Sequence, residues 1–145
     1  MIRKLEAKDL KEVLRLVKEL AAFEKEPEAV VAQLDEYEQL FHKGLFDGFV
    51  AVQDEKVVGM AVYYPIFSTW KGKMLYLEDF YVESDYRNGG FGQQLFNAFI
   101  EEAKAQGCRR VKWQVLDWNT DAIRFYERNN AFIDTSWCNG TIDLK

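Results

Sequence analysis

The stretch Arg87-Asn88-Gly89-Gly90-Phe91-Gly92 lies between an apolar strand pattern and an apolar helix pattern, and its reading decides the fold. Before it, Met74-Leu75-Tyr76-Leu77-Glu78-Asp79-Phe80-Tyr81-Val82 is aromatic and branched enough for a buried strand. After it, Leu95, Phe96, Phe99, Ile100 and Ala103 recur at helical spacing, which predicts a helix beginning between Gly90 and Gly92. A glycine-rich turn feeding a helix presents backbone N–H groups at the positive end of the helix dipole, a combination that binds phosphate. Arg87 adds a planar cationic fork at the mouth of the turn. The alternative is a glycine-capped turn between two core elements, and the six residues alone leave both readings open.

The flanking spacing narrows the choice. A P-loop ends in Gly-Lys-Ser/Thr, whereas Gly92 is followed by Gln93-Gln94. A dinucleotide fingerprint needs a small residue where Leu95 stands and an acid about 20 residues further on, at the end of a second strand. Residues Arg109 to Leu116 supply a strand, but Asp117 follows it by too long a path. The spacing that remains is Arg-x-x-Gly-x-Gly, which resembles the pyrophosphate loop of the GNAT acetyltransferases.

Composition sets the outer limits. A chain of 145 residues is expected to form one domain over 1–145 and to bury about two-thirds of its unfolded surface. With 48% hydrophobic and 15% aromatic residues it can build a core, so disorder is not expected. No apolar run reaches the ~18 residues that would span a bilayer, and Met1-Ile2-Arg3-Lys4 leads into a strand pattern, so the expected location is the cytoplasm. Cys108 and Cys138 have no metal or redox spacing and suit a reducing compartment. The single histidine, His42, cannot build a histidine metal cluster or a Ser-His-Asp triad, and no metal is expected. The net charge of −5 argues against nucleic acid; it is compatible with a cationic substrate, although solubility alone would explain it.

The remaining pattern supplies the element order. Met1 to Leu5 reads as a strand, and Leu10, Val13, Leu14, Val17, Leu20 and Ala21 mark one face of a helix. Pro27 is placed to open a second helix with Val30, Val31, Leu34, Tyr37 and Phe41 on its apolar face, ending before Gly44. Phe49 to Val52 and Val57 to Phe67 read as strands around a turn at Asp54-Glu55-Lys56, with Pro65 weakening the end of the second. Gly107 closes the helix after the glycine loop; Val111, Trp113 and Val115 alternate as a strand; Asn119 caps a short helix with Ala122, Phe125 and Tyr126. Ala131 to Asp134 and Trp137 to Leu144 suggest closing strands around Asn139-Gly140. The expected class is α/β, a mixed sheet with helices on both faces.

This order, with the loop after the fourth strand, is similar to the GNAT order over essentially the whole chain. Leu75 to Val82 followed by Ser84-Asp85-Tyr86-Arg87 resembles the heart of the diamine (spermidine/spermine) N-acetyltransferase group. Asp117-Trp118-Asn119 with Phe125-Tyr126, and Leu16-Val17-Lys18-Glu19-Leu20-Ala21, resemble the same group. Two departures fall near the acceptor side or the dimer contact: the chain ends at Lys145, without the longer tail of many relatives, and Phe23 stands where tyrosine is common.

The resemblance implies a mostly antiparallel sheet with a splayed gap between the fourth and fifth strands. Acetyl-CoA would be the cosubstrate, a small amine the acceptor and a homodimer the assembly. Phe80, Tyr81 and Val82 would run beside the pantetheine arm, with backbone groups of Phe80 and Val82 pairing to it. Arg87 and Asn88 to Gln93, including Gly89, Gly90, Phe91 and Gly92, would hold the pyrophosphate, and Asn119 would meet the pantetheine end unless it is only a cap. An ammonium with a reference pKa near ~10.4 must lose a proton to attack, and a thiolate leaves more readily when an acid donates to it. The resemblance assigns the acid to Tyr126, otherwise a core tyrosine, and the base to Glu78, otherwise a structural ion-pair partner. Asp79 is expected on the opposite face of a regular strand from Glu78. Phe23, Glu24 and Glu78 would line the acceptor, Glu24 being otherwise a solvated helix end. A non-catalytic acyl-CoA-binding domain is the competing reading; an acid and a base kept together favour the enzyme.

Overall fold

Strands β1 (Ile2–Lys4), β2 (Asp47–Gln53), β3 (Lys56–Ser68), β4 (Gly72–Val82) and β5 (Val111–Trp113) form one sheet in that spatial order. The computed structural model describes residues 1–145. Neighbours pair antiparallel except β4 and β5, which are parallel. Four α-helices are interleaved: α1 (Leu10–Phe23), α2 (Leu34–His42), α3 (Phe91–Ala105) and α4 (Thr120–Arg128). The chain falls into two compact units, Met1–Gln114 and Val115–Lys145. No helix is long and apolar enough to cross a membrane.

Alternation along β2 and β3 divides the core of the first unit into two layers. Val50 lies opposite Met60, and with Val62 these side chains pack on Leu10, Val13 and Leu16 of α1. Phe49, Ala61 and Tyr63 point the other way, where the Tyr63 ring lies 5.6 Å from Phe99 of α3. Phe80 of β4, opposite Ala61, meets Phe96 of α3 at 5.9 Å. Helices α1 and α3 therefore cover opposite faces of the sheet. The burial of Leu10, Leu16, Leu95 and Phe99 removes several large side chains from water, each worth about 1.5–3 kcal/mol.

Four expectations need correction. Pro27 opens only a single 3₁₀ turn, Pro27–Ala29; Val30 is extended, and α2 begins at Leu34. Val31, assigned to an apolar helix face, is exposed, so nothing buries that part of the pattern. Pro65 falls in the end of β3 that β2 no longer pairs, so its missing N–H costs no bond to β2 and β3 runs on to Ser68 beside β4 alone. β5 is only Val111–Trp113, shorter than the pattern from Arg109 to Leu116. Finally, residues 131–145 contain no strand. There Asp134 accepts the Ser136 N–H at 2.8 Å, a local turn that competes with strand pairing, and Ile142 and Leu144 remain exposed.

Candidate active site

The site begins at a register fault. Asp79 of β4 lies opposite Val62 and Leu77 lies opposite Tyr63, so Glu78 is an extra residue, a β-bulge. A bulge bends its strand and sharpens the twist. At the same point β5 leaves β4, the last paired position being Leu77 with Trp113. Beyond it, β4 runs from Glu78 to Val82 with β3 as its only partner strand.

Hydrogen-bond alternation fixes which backbone groups face that divergence. The Glu83 N–H bonds Val58 O at 2.8 Å, so Tyr81 and Asp79, two and four residues back, also direct their backbone groups to β3. Phe80 and Val82 direct theirs away from β3. Arg87 Nε donates to Val82 O at 2.9 Å, which agrees with that direction.

Ser84–Gly89 then form a 3₁₀ turn, and Gly90 caps α3 in the left-handed region at φ 81°. The first bond of the α3 ladder runs from Gln94 N–H to Gly90 O at 3.1 Å, leaving the N–H groups of Phe91 and Gly92 ahead of it. The two glycines serve different needs. Gly90 is required by its backbone angle. Gly92 has an ordinary backbone, and a Cβ there would find Phe80 Cζ as its nearest neighbour, at 3.9 Å. Its absent side chain leaves room for a ligand to approach the helix N-terminus. Arg87 does not extend from the mouth of the loop: its guanidinium lies 5.3 Å from the Tyr81 ring centre and 5.8 Å from that of Phe23.

The bulge also overturns the expectation that Glu78 and Asp79 face apart. Both occupy the α1 side. Tyr64 donates its hydroxyl to Glu78 Oε2 at 2.9 Å, and the Asp79 carboxyl lies in the field of Glu78 and of Glu24 at the end of α1. Glu78 is exposed, whereas Asp79 is half-buried and makes no hydrogen bond or ion pair. Burial first, then the charges of Glu78 and Glu24, push the Asp79 carboxyl up to about 7. Burial also raises Glu24. Tyr37 of α2 is pushed up to about 12 by burial and by Asp79 and Glu78, and Tyr76 is raised for the same reasons. Three carboxyls and the rings of Tyr37, Tyr64 and Tyr76 thus converge on one side of β4. Sequence reasoning singled out Glu78 and Glu24 but missed the distinct state of Asp79 and the part played by these tyrosines.

The second unit carries the other two expected residues. Asn119 caps α4, its Oδ1 accepting the Ala122 N–H at 3.3 Å. Tyr126, on α4, is buried, with its ring 5.6 Å from Phe125 in an edge contact.

The model of the acetyltransferase (GNAT) family matches residues 10–132. The chain belongs to the GNAT acetyltransferase family. Among its relatives is a thialysine N-epsilon-acetyltransferase of Bos taurus, 36% identical over 141 residues, covering 90% of this chain and 83% of the relative. A spermidine/spermine N(1)-acetyltransferase-like protein 1 of Homo sapiens is 35% identical over 146 residues, covering 90% of this chain and 20% of that protein. Among solved structures, an aminoglycoside acetyltransferase from an uncultured soil metagenomic sample superposes with a TM-score of 0.83 at 20% identity, covering 100% of this chain and 96% of that one. This last likeness shows the GNAT fold alone.

Proposed function

We propose that this GNAT enzyme transfers acetyl from acetyl-CoA to a primary amine of a small cationic acceptor, polyamine or lysine-like, directly within a ternary complex. The observation that carries the reading is the divergence of β4 from β5 at the Glu78 bulge, with the backbone groups of Phe80 and Val82 directed to that side. An extended, amide-bearing pantetheine arm fits such an edge as an added strand. The helix N-terminus after Gly90, opened by Gly92, suits its pyrophosphate. Acetyl-CoA supplies an activated acyl group; the chain's own residues orient it, gather the cation and move protons. In this proposal Arg87 steadies the cofactor edge through Val82 O, Asn119 meets the pantetheine end and Tyr126 donates a proton to the leaving sulfur.

The acceptor class follows from charge. Glu24, Glu78 and Asp79 on one side of β4 attract cations, and the neighbouring tyrosine rings add cation–π attraction. The names of the thialysine and spermidine/spermine relatives support the same class. Action as a cytoplasmic homodimer, without nucleic acid or membrane partners, completes the proposal.

A panel of spermidine, a shorter diamine, lysine, thialysine and a simple alkylamine, with thiol release from acetyl-CoA as the readout, tests it. Diamines and lysine-like amines should exceed the alkylamine in kcat/KM. Equal rates for the alkylamine would defeat the acidic-pocket argument. Tight acetyl-CoA binding without release on any amine would favour the non-catalytic reading.

A further inference from the structure

We propose that Asp79, and not Glu78, is the group that takes the proton from the acceptor ammonium, while Glu78 serves as a fixed anion held by Tyr64. The proposal rests on the acetyl-transfer reading above. Four observations carry it. The bulge turns two consecutive carboxyls to one face, so either could reach the same amine. Glu78 is the exposed one and is already engaged by the Tyr64 hydroxyl at 2.9 Å, an interaction that restrains its carboxylate. Asp79 is half-buried and makes no hydrogen bond or ion pair, an arrangement that in a folded protein calls for an explanation. It also directly precedes Phe80, at the start of the edge where the thioester arm is expected to lie.

The groups around Asp79 explain how such a carboxyl can be a base at all. From β4 it faces Glu78 and Tyr76, from β3 Tyr64, from α1 Glu24, and from α2 Tyr37. None of these is a cation. An ordinary carboxylate is too weak a base to hold a proton at neutral pH, but burial and the charges of Glu78 and Glu24 bring Asp79 to about 7, near the value at which a general base works best. In the step itself, the ammonium N–H bond breaks and its proton passes to an Asp79 oxygen. The freed lone pair forms the C–N bond at the thioester carbonyl of acetyl-CoA. The C–S bond then breaks with its electron pair leaving on sulfur, and the sulfur takes up the second proton that nitrogen sheds as it becomes the amide, so the products are the neutral amide, the free thiol and protonated Asp79.

The test compares wild type, Asp79→Asn and Glu78→Gln by the pH dependence of kcat/KM for a diamine, with acetyl-CoA binding followed by calorimetry. A second substrate, a fluorinated diamine whose reacting amine is already neutral at the assay pH, needs no base. Wild type should show an acidic limb near pH 7, matching the Asp79 carboxyl. Asp79→Asn should abolish that limb and lower the diamine rate by ~10²-fold or more, yet retain most of the rate on the fluorinated amine and bind acetyl-CoA normally. Glu78→Gln should keep the limb but move it to lower pH, because one of the charges that lifts Asp79 is gone, and should raise the diamine KM. Survival of the limb in Asp79→Asn, its loss in Glu78→Gln, or equal damage to both substrates in Asp79→Asn would each overturn the assignment. If wild type transfers acetyl to no amine, the functional reading itself fails, which is a separate outcome from any difference between the variants.

Discussion

Asp79→Asn should make the protein more stable, by an amount that grows with pH. The folded-state carboxyl is raised from 3.8 to about 7, so between these values the folded protein binds more protons than the unfolded chain. Wild-type stability therefore falls as pH rises through this window and levels off above it. Asparagine keeps the shape without the charge and escapes the fall. The full lift corresponds to roughly 4 kcal/mol at about 1.36 kcal/mol per pKa unit, and water at the partly open edge reduces this to about 2 kcal/mol. For a domain of this size that is a rise in Tm of about 4–8 °C. Urea melts of both proteins at pH values near about 3, 5.5 and 8 should show curves that nearly coincide at the acid end, below the unfolded-state value, and separate at the alkaline end. A constant gap across the three would mean that Asp79 is not held protonated by its surroundings, and the account of the acidic face would fall with it.

Three further outcomes follow from the same geometry. Gly90→Ala, at φ 81°, should cost about 1–2 kcal/mol of stability, whereas Gly92→Ala should leave stability unchanged and weaken acetyl-CoA binding; calorimetry together with thermal melts separates the two. Tyr126→Phe should keep acetyl-CoA affinity and reduce turnover by ~10²-fold or more, and unchanged turnover would return Tyr126 to the core. Glu83, 2.6 Å from Arg15 Nη1 and 3.2 Å from Lys56 Nζ, has its carboxyl held below the usual range because these cations outweigh the effect of burial. Its contribution is present above about pH 4.5 and lost as pH falls, opposite in sign to Asp79. Glu83→Ala should therefore cost about 1–2 kcal/mol near neutral pH and little in acid, less than for an isolated buried pair because Arg15 retains Glu12 and Glu19.

Much of the fold can be read from residue spacing. The helical repeats of α1 and α3 match the observed faces, and Asn119 caps α4 as its residue type suggests. Even the bulge has a trace in the sequence. Leu75 and Leu77, then Phe80 and Val82, occupy the α3 side of β4, and the step of three between Leu77 and Phe80 breaks the period of two. A strand reading that tolerates any apolar run passes over that step, and with it the pairing of Glu78 and Asp79 on one face. The second helix was overextended because Val30 and Val31 fit its spacing although the backbone there is extended. Residues 141–144 alternate as a strand should, but alternation states a preference and supplies no neighbouring strand. Charge states are not written in the chain at all: Asp79 becomes unusual only when packing buries it and the fold sets Glu78 and Glu24 beside it.

The inserted residue in β4 means that the opening between β4 and β5, where we propose that acetyl-CoA binds, is a product of counting. Removing Glu78 alone would put Leu77 and Asp79 in consecutive register with Tyr63 and Val62, leaving a strand of uniform phase with no reason to bend away from β5. Such a deletion would restore an uninterrupted sheet and close the opening in which the thioester arm is proposed to lie. This chain would then differ from a plain, better-paired α/β domain by one residue, with the proposed ligand access gained by leaving the sheet incomplete.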